Sequence, residues 1–311
     1  MKRRREDSSS SLDLAAARIE AAVTEIDPVF LGTPQFVDAQ LSEEVGCEVV
    51  VKVETLNPIG SFKGRGASVL ARTLDPRRTW VCSTAGNFGQ GIAYAARGAG
   101  ASVQVFVSAE VPAPKIARMR RLGARVDISD DPGAAARDHA AASADRQLVI
   151  DALDPAMAEG AGTIAIELES AGPIDTAIVQ LGDGALITGI ACWLKTVSRR
   201  TRVIGVCASG APAMAESFRQ GRPITDRGTG TIATAIAITE PIPQSLARVR
   251  ALVDDVVLVD DDDLRTAQQL IADTLGVLVE PAGAAGIAAL SRHGSDLAGA
   301  RVAVILTGAA V

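Results

Sequence analysis

Val51-Lys52-Val53-Glu54-Thr55-Leu56-Asn57-Pro58-Ile59-Gly60-Ser61-Phe62-Lys63-Gly64-Arg65-Gly66-Ala67 carries a β-branched segment through a turn and into a helix. The valines read as a buried strand, Asn57-Pro58 and Gly60 break it, and a helix is predicted from near Ser61. Lys63 therefore falls in the first turn of a helix at the edge of a sheet. A helical lysine is usually a solvated structural residue. Here Gly60, Gly64 and Gly66 allow close approach and Phe62 is apolar, a setting in which an amine withdrawn from water reacts as a neutral nucleophile. Both readings stand on these residues alone. The chain has only five lysines, at positions 2, 52, 63, 115 and 195, so the search for a reactive amine is narrow.

Outward from this stretch, β-branched runs alternate with alanine-rich helical patterns. Val49–Val53, Ser102–Val107, Ala177–Leu181, Arg202–Val206 and Val302–Leu306 read as buried strands. Lys115–Leu122, Gly189–Ser198 and Leu264–Leu275 show apolar positions at helical spacing. Such alternation predicts α/β layers around mainly parallel sheet. A smaller unit is expected over 78–154, closing near Asp154-Pro155, with 13–77 and 155–311 forming a larger one. Residues 1–12, basic and then serine-rich, read as a disordered tail.

Composition excludes several classes. The formal net charge of −6 disfavours nucleic acid as a partner. No apolar run reaches the length of about 18 residues that a membrane span needs, and the start lacks the apolar stretch of a signal peptide. Cys47, Cys82, Cys192 and Cys207 are scattered without a C-x-x-C pair, which suits free thiols in the reducing cytoplasm. His139 and His293, the only histidines, sit in no motif, so neither a metal centre nor a Ser-His-Asp triad is expected.

Four other segments carry chemistry. Ser83-Thr84-Ala85-Gly86-Asn87-Phe88-Gly89-Gln90-Gly91 lies between strand Trp80–Cys82 and helix Ile92–Arg97; it is either a plain strand–helix turn or an anion seat at a helix start. Leu181-Gly182-Asp183-Gly184-Ala185-Leu186-Ile187-Thr188-Gly189 also opens a helix. As a dinucleotide fingerprint it lacks its third glycine, replaced by Ile187, and the next strand ends at Val206-Cys207-Ala208 without a ribose-binding carboxylate; a phosphate cradle is the better reading. Val279-Glu280-Pro281-Ala282-Gly283-Ala284-Ala285-Gly286 reads as a helix-capping loop, and strand Val302–Leu306 ends in Thr307-Gly308. The acidic run Asp260–Asp263 caps the helix at Leu264–Leu275 through the helix dipole.

Glu54 to Ala67 resembles the lysine motif of the fold-type II pyridoxal-phosphate enzymes, in the G-S-F-K-x-R-G-A form of threonine and serine dehydratases, and five segments between Pro34 and Gly308 follow that family's order. The resemblance implies an α/β fold of two open, mainly parallel twisted sheets with helices on both faces. It implies pyridoxal 5'-phosphate held as a Schiff base on Lys63, with Phe62, Asn87, Gly182, Asp183, Gly184, Ala185, Leu186, Glu280 and Thr307 as further cofactor-binding residues. It places Ser61, Ser83, Thr84, Ala85, Gly86, Asn87 and Gln90 at the substrate. The implied reaction is α,β-elimination from a β-hydroxy-α-amino acid such as threonine or serine, yielding a keto acid and ammonia; a homodimer is implied too. Because the chain stops at Val311, no C-terminal regulatory domain is expected. Two alternatives stay open: β- or γ-replacement of the cysteine synthase or threonine synthase kind, and a non-catalytic cofactor or amino-acid binding protein.

Departures from the pattern refine these expectations. Phe88 stands where the family often has His. Ala85 replaces the acid/base Ser of related serine racemases, which favours elimination over racemisation. Asp183 and Ala185 replace two cradle glycines, and Thr307-Gly308-Ala309-Ala310 replaces an S-G-G-N ending. Thr307 offers the ring nitrogen a hydroxyl, which suits elimination more than transamination. Cys207 and Ala213 occupy positions where cation-activated relatives carry carboxylates, so no Mg²⁺ or Ca²⁺ site is expected. Thr229-Gly230-Thr231-Ile232-Ala233-Thr234-Ala235 resembles a substrate-proximal T-I-A-D-G loop with its Asp and Gly replaced.

Overall fold

The computed structural model describes residues 12–226, 230–293 and 297–310. Ten strands run through them: β1 (Gln35–Val37), β2 (Glu48–Val53), β3 (Thr79–Ser83), β4 (Val103–Val107), β5 (Arg125–Ile128), β6 (Arg146–Leu148), β7 (Thr176–Gln180), β8 (Arg202–Ala208), β9 (Asp255–Val259) and β10 (Arg301–Leu306). They form two sheets, six strands in the order β1-β2-β10-β7-β8-β9 and four in the order β5-β4-β3-β6. Every pairing is parallel except the edge pair β1–β2, where Phe36 lies opposite Val51. The two mainly parallel sheets anticipated above are therefore present. The predicted tail at 1–12 falls, except for Leu12, outside the described residues.

Among the described residues, twelve α-helices connect and cover the strands: α1 (Ala16–Ala22), α2 (Ala39–Val45), α3 (Lys63–Ala71), α4 (Asn87–Ala99), α5 (Ala113–Arg121), α6 (Pro132–Ala141), α7 (Pro155–Leu168), α8 (Ala185–Val197), α9 (Ala213–Gln220), α10 (Pro243–Leu252), α11 (Asp261–Leu275) and α12 (Pro281–His293). Side chains alternate across the six-stranded sheet. Val302, Val304 and Leu306 of β10 pack towards α2, α11 and α12, whereas Ala303 and Ile305 join α7, α8 and α10. Cover on both faces explains why these strands read as unbroken apolar runs. The acidic run caps α11 as anticipated: Asp260 accepts hydrogen bonds from the backbone N–H groups of Asp262 and Asp263, and the Asp263 side chain reciprocates. No helix among the described residues is long and apolar enough to cross a membrane.

Helices α7 and α8 meet backbone to backbone. A Cβ on Gly189 would lie 1.9 Å from the Ala158 carbonyl oxygen and 2.7 Å from the Gly162 nitrogen, neither of which can swing aside. Gly189→Ala is expected to lose at least about 1–3 kcal/mol of stability, the usual cost of overpacking. Thermal unfolding measures it, and an unchanged melting temperature would contradict this crossing. The contact matters for the site because α8 begins at the glycine-rich loop.

Candidate active site

The chain enters the site from the carboxyl ends of parallel strands, where open α/β sheets leave a crevice. β2 leads into the 54–62 turn, β3 into Ser83–Gly86, β7 into Leu181–Gly184, and β10 into Thr307. The 54–62 turn is built by Asn57, whose amide donates to the carbonyls of Glu54 (2.9 Å) and Ser61 (3.1 Å) and whose oxygen accepts from the Ile59 and Ser61 N–H groups. Phe62 is the residue before α3, and Lys63 is its first helical residue, two residues after the predicted start.

These strand ends surround a cavity of about 370 Å³. Phe62, Lys63, Ser83 to Phe88, Gly182 to Leu186, Glu280 and Thr307 line it, so the five segments converge on one space. Thr234 and Ala235, from the altered loop at 229–235, line it as well; Thr229 itself lies outside the described residues. Ser61 and Gln90 are not brought to the cavity wall. Ser61 is fully buried in a bridge to Gly308, and Gln90 donates to the Asn87 side-chain oxygen at 3.3 Å.

Two helix starts face the cavity. Gly184, with φ +97°, precedes α8, and no side chain caps that helix. The first N–H groups of a 13-residue helix are thus left to bind an anion, aided by the dipole. A Cβ at Gly182 would come within 3.0 Å of the Ile236 Cα, so the loop is closed from behind as well. At α4, Gly86 precedes the helix with φ +138°, and the Thr84 hydroxyl accepts from the Gly86 and Gly89 N–H groups at 2.9 and 3.2 Å.

The charged groups are arranged in two sets. Glu280 accepts from Asn87 Nδ2 at 2.6 Å and from Lys115 Nζ at 2.5 Å, which neutralises its charge and aims Asn87. The Lys63 ammonium pairs with Asp151, on the cavity wall, and lies 5.0 Å from the Phe62 ring centroid and 5.8 Å from that of Phe88. Withdrawal from water, and then the charge of Asp151, push the Asp183 carboxyl well above the ordinary carboxylate range, while Lys63 pulls it down.

Sequence reasoning missed Asp151 and Lys115. Asp151 sits just past β6 in a turn whose next residue, Ala152, has φ +59°, the only positive φ at a non-glycine among the described residues. That conformation costs about 1–2 kcal/mol for an L-residue. Arg248 holds it in place, donating to the carbonyls of Ala152 (2.7 Å) and Leu153 (3.0 Å) and to the Asp13 carboxylate (2.8 and 2.5 Å). Cys207 is buried and in contact with the Leu181 carbonyl, and burial pushes its thiol up to about 12.

The donor set suits pyridoxal phosphate. A lysine amine, an uncapped helix start for a phosphate, the Asn87 amide and the Thr307 hydroxyl share one cavity, and the buried Gln180 Oε1 on its wall has no hydrogen-bond partner among the described residues.

Comparison with known proteins agrees. Residues 26–308 match the family model described as pyridoxal-phosphate dependent enzyme. The chain is 32% identical to an L-threonine ammonia-lyase of Thermotoga maritima, over 86% of this chain and 68% of that one. It is 34% identical to a phenylserine dehydratase of Ralstonia pickettii, over 89% of this chain and 87% of that one. Among solved structures, a threonine deaminase of T.th. superposes with a TM-score of 0.89 at 27% identity, covering 96% of this chain and 98% of that one.

Proposed function

From the premise that the chain belongs to the pyridoxal-phosphate dependent enzyme family, we propose that it is a dehydratase, or ammonia-lyase, converting a β-hydroxy-α-amino acid to a keto acid and ammonia. The observation that carries this reading is the Lys63 amine standing in one cavity with an uncapped α8 start and with the α4 start.

In this reading Lys63 holds the cofactor covalently, the amides of Gly182 to Leu186 hold its phosphate, and Phe62, Asn87, Glu280 and Thr307 complete the seat. When bound, the cofactor supplies an electron sink beside the substrate's Cα. Ser83 to Asn87, with Ser61 and Gln90 behind them, receive the substrate carboxylate at the α4 start. The Lys63 amine, once released, takes the proton from Cα. Ala85 has no group to return a proton on the opposite face, so loss of the β-hydroxyl prevails over racemisation. Phe88, Ile236 and Ile238 contribute apolar side chains to the lining, which suits a substrate with an apolar β-substituent. The two-unit division at 13–77 with 155–311 and 78–154, assembly as a homodimer and a cytoplasmic location belong to the same proposal; four buried free cysteines support the last.

Purified protein supplied with pyridoxal phosphate is expected to acquire a visible absorption band and to release keto acid from threonine, serine or 3-phenylserine. Turnover only with O-acetylserine or phosphohomoserine plus a nucleophile would move it to the replacement enzymes, and a band with no turnover on any of them to the binders. A protein that stays colourless would overturn the reading.

A further inference from the structure

We propose that Asp151 is the proton carrier of the amine exchange at Lys63: its carboxylate takes a proton from the ammonium of the entering amino acid and delivers it to Lys63 Nζ as that amine is displaced. This rests on the function proposed above. The exchange swaps one amine for another at a single carbon. Two N–H bonds of the substrate ammonium break in the exchange. The first proton forms an O–H bond on Asp151, and that O–H then breaks as an N–H bond forms on Lys63. As the attacking nitrogen gives up its second proton, Asp151 takes it, so Lys63 leaves as a neutral amine and the one remaining proton rests on Asp151.

Geometry singles out Asp151. It is the carboxylate that pairs with Nζ among the described residues; Asp183 lines the same cavity and feels the charge of both Lys63 and Asp151 without an ion pair to Nζ, and the nearby rings of Phe62 and Phe88 accept no proton. Its side chain and that of Lys63 are 15% and 14% exposed, sheltered but reachable from the cavity. The fold holds it there against resistance: Ala152 is kept at positive φ while fully buried, and the guanidinium of Arg248, only 2% exposed, grips the two carbonyls that follow Asp151. Strained backbone of this kind persists where the surroundings enforce it, commonly beside reacting groups. When Lys63 is tied to the cofactor, Asp151 loses its partner just as an incoming ammonium needs an acceptor.

The test measures how fast cofactor-free protein captures pyridoxal phosphate, followed by the growth of its visible band, alongside turnover. Asp151→Asn keeps the shape and removes the proton. It is expected to slow capture and kcat/KM for elimination by 10-fold or more, within the range of about 10²–10⁴ for general acid–base groups, with the final band and the melting temperature unchanged. In Asp151→Ala, added formate is expected to restore part of the capture rate. Capture and turnover by Asp151→Asn at wild-type rates, or no response to formate in the alanine variant, would overturn the proposal while leaving the dehydratase reading intact. Borohydride trapping that finds no adduct on Lys63 in the unaltered protein would sink both.

Discussion

Lys63→Ala is expected to abolish keto-acid release, by at least about 10³-fold, and to leave no borohydride-stable adduct on the chain. Two losses compound in this variant: the covalent tether and the base that removes the α-proton, the latter alone worth about 10²–10⁴. No other described lysine can stand in. Lys52 is buried and donates to Glu167 at 2.5 Å and to the Thr33 carbonyl at 2.8 Å. Lys115 is committed to Glu280, and Lys195 bonds Asp254 at 2.5 Å from the last turn of α8, at the opposite end of that helix from the cavity. Mass spectrometry after trapping reads the tether, and a keto-acid assay reads the base. An adduct appearing on Lys115 would show that the α4 side of the cavity, and not the start of α3, receives the cofactor aldehyde. Phosphate retention at α8 is expected to survive, because the Gly182 to Leu186 loop is untouched, so the variant should still bind the cofactor weakly, without the Schiff-base band.

How much of this was legible beforehand follows from how local each signal is. β2, β4, β7, β8 and β10 are buried on both faces, so their apolar runs announce them. β1, β5 and β6 are three or four residues long and only partly buried, with Arg125, Asp127 and Arg146 among them, and no periodicity survives at that length. The site loops are short contiguous motifs beside strand ends, which is why Lys63, Asn87, Glu280 and Thr307 could be named. Asp151 and Lys115 act across sequence separations of 88 and 165 residues, and a lone Asp after a weak strand carries no local mark of its partner. Ser61 and Gln90 show the limit of reading a motif as a wall. They belong to the right motifs, but the turn and the helical phase bury their side chains behind the wall instead of in it.

Arg65→Met is expected to cost the largest share of stability of any single change in this region, about 3–5 kcal/mol. Arg65 is wholly buried. Its guanidinium bonds both Glu54 oxygens at 2.9 and 2.8 Å, both Glu167 oxygens at 2.7 and 2.9 Å, and the hydroxyls of Thr163 and Thr33 at 3.0 and 3.1 Å. Burial alone would raise the Glu167 carboxyl; hydrogen bonds and charge from Arg65 and Lys52 outweigh it and hold that group at about 2. Methionine fills much of the volume but strands the Glu54 carboxylate, itself fully buried, with only the Thr33 hydroxyl at 2.6 Å. Lysine is no substitute, since a single ammonium cannot span two carboxylates with a planar fork. Thermal unfolding should fall by on the order of 10 °C, taking about 2–4 °C per kcal/mol for a chain of this size. Pairing Arg65→Met with Glu54→Leu should recover part of that loss, because a buried ion pair replaced whole costs far less than one broken in half. If the single and double variants melt alike, the stranded charge is not the cause. Because Arg65 lies two residues past Lys63 in the first turn of α3, cofactor capture by Lys63 in the single variant should slow in step with the loss of stability, and recover with it in the double.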